Sequence, residues 1–192
     1  MKIVIGLILG VLVMSGFSAN AQSKFKVGAG IGINNSSFTG IDATGTTTLS
    51  GLNVGAISEF KFSDFSGIEL NVLFSMKGAS AIYFSNQKKL TRGDRFNYVD
   101  LPLVLKLYVK KIISFQAGVQ YSKLLSANIA GVDVKNLIRG DDCSAVFGVG
   151  IDLERIHTSF RYNHGLSNIS LISSDLRSNM IAVTLGIWIK NN

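Results

Sequence analysis

The feature that most constrains this chain is a regular alternation of apolar and polar residues that recurs in eight segments. The segment 67–78 shows it most clearly, with Leu73 as the single large apolar residue among the polar positions. Its apolar positions are Ile68, Leu70, Val72, Phe74 and Met76, and its polar positions include Glu69, Asn71, Ser75 and Lys77. Successive side chains of a β-strand point to opposite faces of the sheet. The alternation therefore predicts strands with one apolar face and one charged face.

The predicted strands are joined by connections that alternate between short and long. The strands lie at about 24–34, 49–62, 67–78, 96–109, 112–127, 144–153, 156–164 and 179–190. Short turns are predicted at 63–64, 110–111 and 154–155, and long polar loops at 35–48, 79–95, 128–142 and 165–178. Each strand reaches the ~9–11 residues that a tilted strand needs to span a bilayer.

An even number of antiparallel strands with alternately short and long connections is typical of bacterial outer-membrane barrels. The sequence therefore predicts an all-β protein, an eight-stranded antiparallel up-and-down transmembrane β-barrel. Because both ends of the chain lie on the side of the short turns, both termini are expected in the periplasm. The four long loops are then extracellular.

The first 21 residues have the organisation of a secretory signal peptide. Lys2 precedes the apolar run 3–13, and the small residues that follow end in Ala19-Asn20-Ala21, a typical cleavage signal. The apolar run is shorter than the ~20 residues of a membrane-spanning helix. We therefore expect residues 1–21 to be removed and residues 22–192 to form one outer-membrane barrel domain.

The polar face of the predicted strands carries charges of both signs, which fits a barrel interior in which carboxylates and cations pair. Eight strands enclose a bore that side chains can fill, and an isolated buried charge is costly. We therefore expect a connected polar network in a packed interior without an aqueous pore. Its predicted members are Glu59, Glu69, Lys77, Tyr98, Asp100, Lys106, Asp152 and Arg161.

The basic balance of the chain, with a net charge of +7, does not come from one cluster, so a nucleic-acid partner is not expected. A basic exterior on an exported protein instead suits anionic lipid headgroups or polysaccharide. The second long loop is the most basic, and its candidate contacts to lipopolysaccharide are Lys88, Lys89, Arg92 and Arg95.

A single cysteine, Cys143, excludes an internal disulfide. The pattern indicates no catalytic residue, cofactor or metal site.

Three other functions fit parts of the pattern. A soluble, lipocalin-like ligand-binding barrel needs an apolar interior. The charged residues on one face of the predicted strands disfavour this alternative. An outer-membrane lipid hydrolase is suggested by the spacing of His157 and Ser159, since Ser–His pairing supports acyl transfer. Both residues are predicted to face the interior near a short turn, with no acid evidently placed to orient the imidazole. A small diffusion channel is disfavoured by the filled bore of an eight-stranded barrel.

Four segments resemble the small PorT-like outer-membrane β-barrels of Bacteroidota-type bacteria. The most specific is NYVDLPLVLKLY at 97–108, which is similar to that family's Tyr-x-acid-apolar-Pro-Leu strand. Further similarity lies in ELNVLFSMKG at 69–78, QAGVQYSKLLSA at 116–127 and RYNHGLSNI at 161–169. The likeness covers nearly all of the chain after the signal peptide.

The resemblance implies an eight-stranded outer-membrane barrel without established enzymatic activity. The founding member assists the type IX secretion system, so secretion-apparatus proteins are implied as partners, beside outer-membrane lipid and the barrel-assembly machinery. One departure concerns the last strand, which in such chains usually ends on an aromatic residue. Here Trp188 is followed by Ile189-Lys190-Asn191-Asn192, so the signal that the assembly machinery reads is altered.

Overall fold

The structure is a computed structural model that describes residues 24–39, 46–85, 88–129, 132–133, 135, 139–168 and 177–191. The predicted signal peptide, 1–21, lies outside the described residues. No helix among the described residues is long and apolar enough to cross a membrane.

The described chain forms a closed antiparallel barrel of eight long strands, as predicted. The first and last long strands pair with each other, and this pairing closes the sheet. An additional two-residue strand pairs antiparallel with the end of the fifth strand. The strands are β1 (Lys24–Thr39), β2 (Thr46–Lys61), β3 (Ser66–Ser85), β4 (Lys88–Val109), β5 (Ile113–Ile129), β6 (Val132–Asp133), β7 (Asp141–Asp152), β8 (Ile156–Gly165) and β9 (Arg177–Asn191).

Polar residues fill the barrel interior and apolar residues cover its exterior, the reverse of a water-soluble barrel. Glu59, Glu69 and Lys106 are fully buried, whereas Ile31 and Phe115 are 58% and 57% exposed. Exposed apolar side chains on every long strand would be unfavourable in water but suit contact with lipid. Closure satisfies the backbone groups that an open sheet edge would leave unpaired in hydrocarbon. The lipocalin-like alternative, which requires an apolar interior, is therefore wrong.

The apolar exception in the alternation of β3 has a structural role. Leu73 points into the barrel, where it packs with Ile57 and Trp188. A second interior apolar cluster lies closer to the long loops and consists of Phe96, Tyr98, Leu124 and Ala127. The interior is therefore a polar core that contains two apolar clusters, and Leu73 belongs to one of them.

The prediction of a long loop at 79–95 is wrong for most of its length. β3 continues to Ser85 and β4 begins at Lys88, and the two strands pair until Ser85 lies opposite Lys88. Strict alternation is lost here because a ribbon beyond the lipid needs no apolar face, while its backbone hydrogen bonds persist. The β-forming residues of 82–84 and 90–91 were the available signal. β1 and β2 likewise extend into the predicted loop 35–48, to Thr39 and from Thr46.

The predicted turn at 110–111 forms, together with Ile112, a three-residue connection between the paired residues Val109 and Ile113, and its backbone conformation is unfavourable. Lys110 and Lys111 have φ angles of 53° and 63°, and the Ile112 backbone N–H donates to the Val109 carbonyl at 3.4 Å. Positive φ at both central residues defines a type I′ turn, which favours Asn-Gly. Lys111 Nζ also lies 2.7 Å from Asp64 Oδ2 on the neighbouring turn.

The contact between Asp64 and Lys111 depends on pH. The hydrogen bond from Lys111, followed by the charge of its ammonium group, lowers the pKa of Asp64 from its ordinary value of 3.8. A carboxyl group with a lowered pKa stabilises the folded state above its ordinary pKa. That contribution is lost as the pH falls through the lowered pKa of the folded state. Because both side chains are exposed, the contribution is small.

Replacing the turn by Asn-Gly (K110N/K111G) is expected to stabilise the barrel by about 1–2 kcal/mol, because two side chains leave the left-handed region. The free energy of unfolding in phospholipid vesicles, measured by urea titration, checks this. K110A/K111A is the matched control, since it removes the same charges and keeps the unfavourable φ angles. Equal stability of K110N/K111G and K110A/K111A would contradict the interpretation.

Candidate functional site

The interior charges nearest the short turns form one connected group, which we call the turn-side cluster: Glu59, Glu69, Lys106, Tyr108, Asp152, His157 and Arg161. The strands β2, β3, β4, β7 and β8 each supply inward-facing members, because residues of one parity face the interior. Lys106 lies at the centre. Its Nζ atom is 2.8 Å from Asp152 Oδ2, 3.1 Å from Glu69 Oε2 and 3.4 Å from Glu59 Oε2. One ammonium group thus joins three carboxylates from three strands.

The remaining members of the cluster contact the same three carboxylates. The Tyr108 hydroxyl donates to Glu59, and lies 3.1 Å from Asp152 Oδ2. Arg161 donates to Glu69 through Nη2 and to Gln116 Oε1 through Nε at 2.7 Å. Hydrogen bonds to buried carboxylates are needed to offset the cost of removing them from water. With Gln116 of β5, the contacts link six strands across the bore.

The structure places an acid beside His157, contrary to the prediction that none orients the imidazole. Asp152 Oδ1 lies 2.8 Å from His157 Nδ1, because the two residues are register partners across the β7–β8 hairpin. His157 Nε2 lies 3.7 Å from Glu69 Oε2. Their positions at either end of a predicted short turn were the signal in the sequence for this contact.

The Ser–His pair that the hydrolase alternative requires is not formed by Ser159 and His157. The Ser159 hydroxyl is buried and has no hydrogen-bond partner among the residues that the structure describes, while both ring nitrogens of His157 face carboxylates. A serine nucleophile needs a base within hydrogen-bond reach. The arrangement around His157 therefore resembles a structural ion network more closely than a hydrolytic site.

A second group of interior charges lies toward the long loops. Lys77 Nζ is 2.8 Å from Asp100 Oδ1 and 2.9 Å from Ser122 Oγ. The same ammonium group lies 4.8 Å from the centroid of the Tyr98 ring, a distance at which a cation is attracted to an aromatic face. Asp142, which was not among the predicted members, accepts a hydrogen bond of 2.6 Å from the Ser167 hydroxyl.

Among the residues whose side chains the structure describes, five cations and five carboxylates face the interior, in addition to His157. The cations are Lys26, Lys61, Lys77, Lys106 and Arg161, and the carboxylates are Glu59, Glu69, Asp100, Asp142 and Asp152. Lys61 is only half-buried and lies 3.7 Å from the centroid of the Tyr108 ring. All eight predicted interior residues lie inside the barrel. The predicted network did not include Lys26, Asp142 or His157, although Lys26 and His157 lie on the interior face of their predicted strands.

Between the two charged groups, the bore contains a small cavity of about 20 Å³. The side chains around it include Ser75, Asp100, Arg161 and Asn163. A volume of this size holds about one water molecule. The middle of the barrel is therefore filled by side chains, in agreement with the expectation of a packed interior.

The four basic residues predicted to contact anions lie on β4 and not in a loop. Lys88 pairs with Ser85, Lys89 with Phe84, Arg92 with Ala81 and Arg95 with Gly78. Their side chains lie outside the described part of the structure. The hairpin places the backbone of all four residues at the end of the barrel opposite the short turns.

The closed barrel with a charged interior and an apolar exterior defines an integral outer-membrane protein. The family of the outer membrane protein beta-barrel domain matches residues 17–171 of this chain. The chain belongs to that family, and its location is the outer membrane. No curated protein sequence matches it significantly.

Solved structures share the fold at low sequence identity. Neisserial surface protein A is 10% identical, with a TM-score of 0.58 over 85% of this chain and 96% of that chain. Ail of Yersinia pestis is 12% identical over 85% of this chain and 98% of that chain, with a TM-score of 0.49. OprG of Pseudomonas aeruginosa is 12% identical over 86% of this chain and 92% of that chain, with a TM-score of 0.46. At such identity, the likeness to Neisserial surface protein A shows the fold alone.

Replacing the central cation of the turn-side cluster (K106M) is expected to destabilise the barrel by about 3–5 kcal/mol, because three buried carboxylates then lose the cation that they share. The matched control is K123M, which removes a lysine from an exposed pair on the exterior and should cost at most ~1 kcal/mol. Urea unfolding in vesicles measures both. Neutralising the acids in K106M/E69Q/D152N should restore part of the loss, and a K106M barrel as stable as the wild type would contradict the assigned role.

Proposed function

We propose that this chain is a non-enzymatic envelope protein whose rigid barrel presents its long hairpins to the cell exterior, with both termini in the periplasm. The filled, charge-balanced interior is the observation that supports this best. A bore that side chains occupy offers neither a substrate cavity nor a solute path. Function then falls to the segments that the scaffold holds at its ends.

The β3–β4 hairpin is the most prominent of these segments among the described residues. β2 pairs with β3 only as far as Ala81, and β5 pairs with β4 only as far as Arg95. Residues 82–85 therefore pair with β4 alone, and at 3.3 Å per residue they carry the ribbon roughly 13 Å past β2. A two-stranded ribbon of this kind is free to contact large surfaces outside the membrane.

The proposed ligand of this ribbon is the phosphorylated part of lipopolysaccharide. Four cations, Lys88, Lys89, Arg92 and Arg95, lie within eight residues of β4, accompanied by the single acid Asp94. A local excess of positive charge attracts polyanions and speeds their association. The same pattern on a membrane-embedded scaffold suits an anionic glycolipid that surrounds the barrel.

The quadruple variant K88S/K89S/R92S/R95S is expected to bind lipopolysaccharide about tenfold more weakly than the wild type, since each exposed contact contributes a fraction of a kcal/mol. Binding is measured on the folded barrel in detergent micelles at low and physiological salt. K110N/K111G, which removes two cations at the other end of the barrel, is the control. Unchanged binding by the quadruple variant would exclude this ligand role.

Support of type IX secretion is the second candidate, and the four PorT-like segments are the observation that favours it. Strand β4 carries the most specific of them, with Asp100, Pro102 and Lys106 in the order that the resemblance requires. Asp100 and Lys106 take part in the interior network, and such residues stabilise a scaffold whatever it carries. The resemblance therefore supports a PorT-like barrel more strongly than it supports a particular secretion partner.

A strain lacking this protein separates the two candidates. If the protein is a secretion accessory, export of type IX cargo is expected to fall while the permeability of the outer membrane stays normal. If it is a surface-contact protein, cargo export is unchanged and attachment to anionic surfaces decreases. Complementation with the wild-type chain is the control, and normal export in the deletion strain would exclude the secretion role.

A further inference from the structure

The barrel has a stepped edge at the end that carries the short turns. β8 begins at Ile156, which pairs with Ile187 of β9, whereas β9 continues to Asn191 along β1. The Trp188 backbone N–H donates to the Arg155 carbonyl at 2.9 Å. Beyond this bond, β9 has a strand partner on one side only. The step creates a notch, which we define by its lining residues Lys24, Glu154, Arg155, Ile187, Trp188 and Ile189.

The notch has the size of a small-molecule site and walls of two kinds. Its volume is about 810 Å³, within the ~300–1,000 Å³ range of ligand pockets. Ile189 is 78% exposed and Ile187 is 59% exposed, and both continue the apolar exterior of the barrel. Lys24, Arg155 and Glu154 supply the charged wall. One wall of the notch is therefore apolar and continuous with the lipid-facing exterior, and the other wall is charged.

The charges of the notch are available to a ligand. Neither Lys24 nor Arg155 forms an ion pair with any residue that the structure describes, whereas Lys111 at the same end is paired with Asp64. Glu154 is also unpaired among these residues and is exposed. Two cations and one carboxylate beside an apolar wall match a ligand that has a phosphate, an ammonium group and a hydrocarbon chain.

We propose that the notch binds the headgroup of phosphatidylethanolamine. The phosphate lies between Lys24 and Arg155, the primary ammonium group donates to Glu154, and the acyl chain starts along Ile187 and Ile189. Phosphatidylcholine fits less well because its trimethylammonium group has no N–H to donate, and phosphatidylglycerol leaves Glu154 beside a ligand without a cation. The assignment rests on the proposed orientation, which places the short turns in the phospholipid leaflet.

Lipid retention by the full barrel tests the assignment. The protein is reconstituted in nanodiscs with equal fractions of phosphatidylethanolamine, phosphatidylglycerol and phosphatidylcholine, and the lipids that remain bound after extraction are measured by native mass spectrometry. The wild type is expected to retain phosphatidylethanolamine about fivefold over phosphatidylcholine. K24Q/R155Q should retain less of all three lipids, because each of them carries the phosphate that these two cations bind. E154Q should lose the preference for phosphatidylethanolamine in favour of phosphatidylglycerol, since the cations remain without the competing acid.

K110N/K111G is the matched control, because it removes two cations from the same end of the barrel outside the notch. Its lipid preference should equal that of the wild type. Equal retention of all three lipids by the wild type would overturn the assignment. An equal loss in K110N/K111G and K24Q/R155Q would also overturn it, since it would indicate general attraction to the surface. Failure of the wild type to insert as a heat-modifiable barrel would instead contradict the proposed function.

Discussion

The constraint on which the structure depends is that no backbone polar group can be left unpaired in hydrocarbon. The pairing of β1 with β9 meets it, since it closes the sheet and removes both edges. Closure also determines the direction of the side chains. Those that face lipid must be apolar, and those on the opposite face of each strand must fit together in a narrow bore. The charged interior is thus a consequence of the closed ring in lipid.

A bore filled with charges is stable only if the charges compensate one another. Lys106 shows how this is done, since it joins Glu59, Glu69 and Asp152 across the barrel. The same contacts that stabilise the interior also fill it. Contact with water or lipid headgroups is therefore left to the two ends of the barrel, and at one of them the notch beside β9 carries the exposed residues Lys24, Glu154 and Arg155.

Much of the fold follows from two-residue periodicity. The eight strands, the three short turns and the inward direction of the predicted interior residues were readable from parity, because parity in a strand is a local property. The extension of β3 and β4 was not readable, since a ribbon outside the lipid loses the alternation that reveals strands. The contact between Asp152 and His157 was also missed, although a turn prediction places them opposite each other.

The sequence by itself determined the compartment expected for this protein, the strand number and the face on which each charge lies, because these depend on short-range order along the chain. Only the tertiary structure decided which charges meet and where Leu73 packs. It also decided that β9 extends beyond the start of β8, which creates the notch. These features depend on the register between strands and on the curvature of the closed sheet. The closed sheet brings residues that are far apart in the chain, such as Glu69 and Arg161, into contact across the bore, and no local sequence pattern encodes which of them meet.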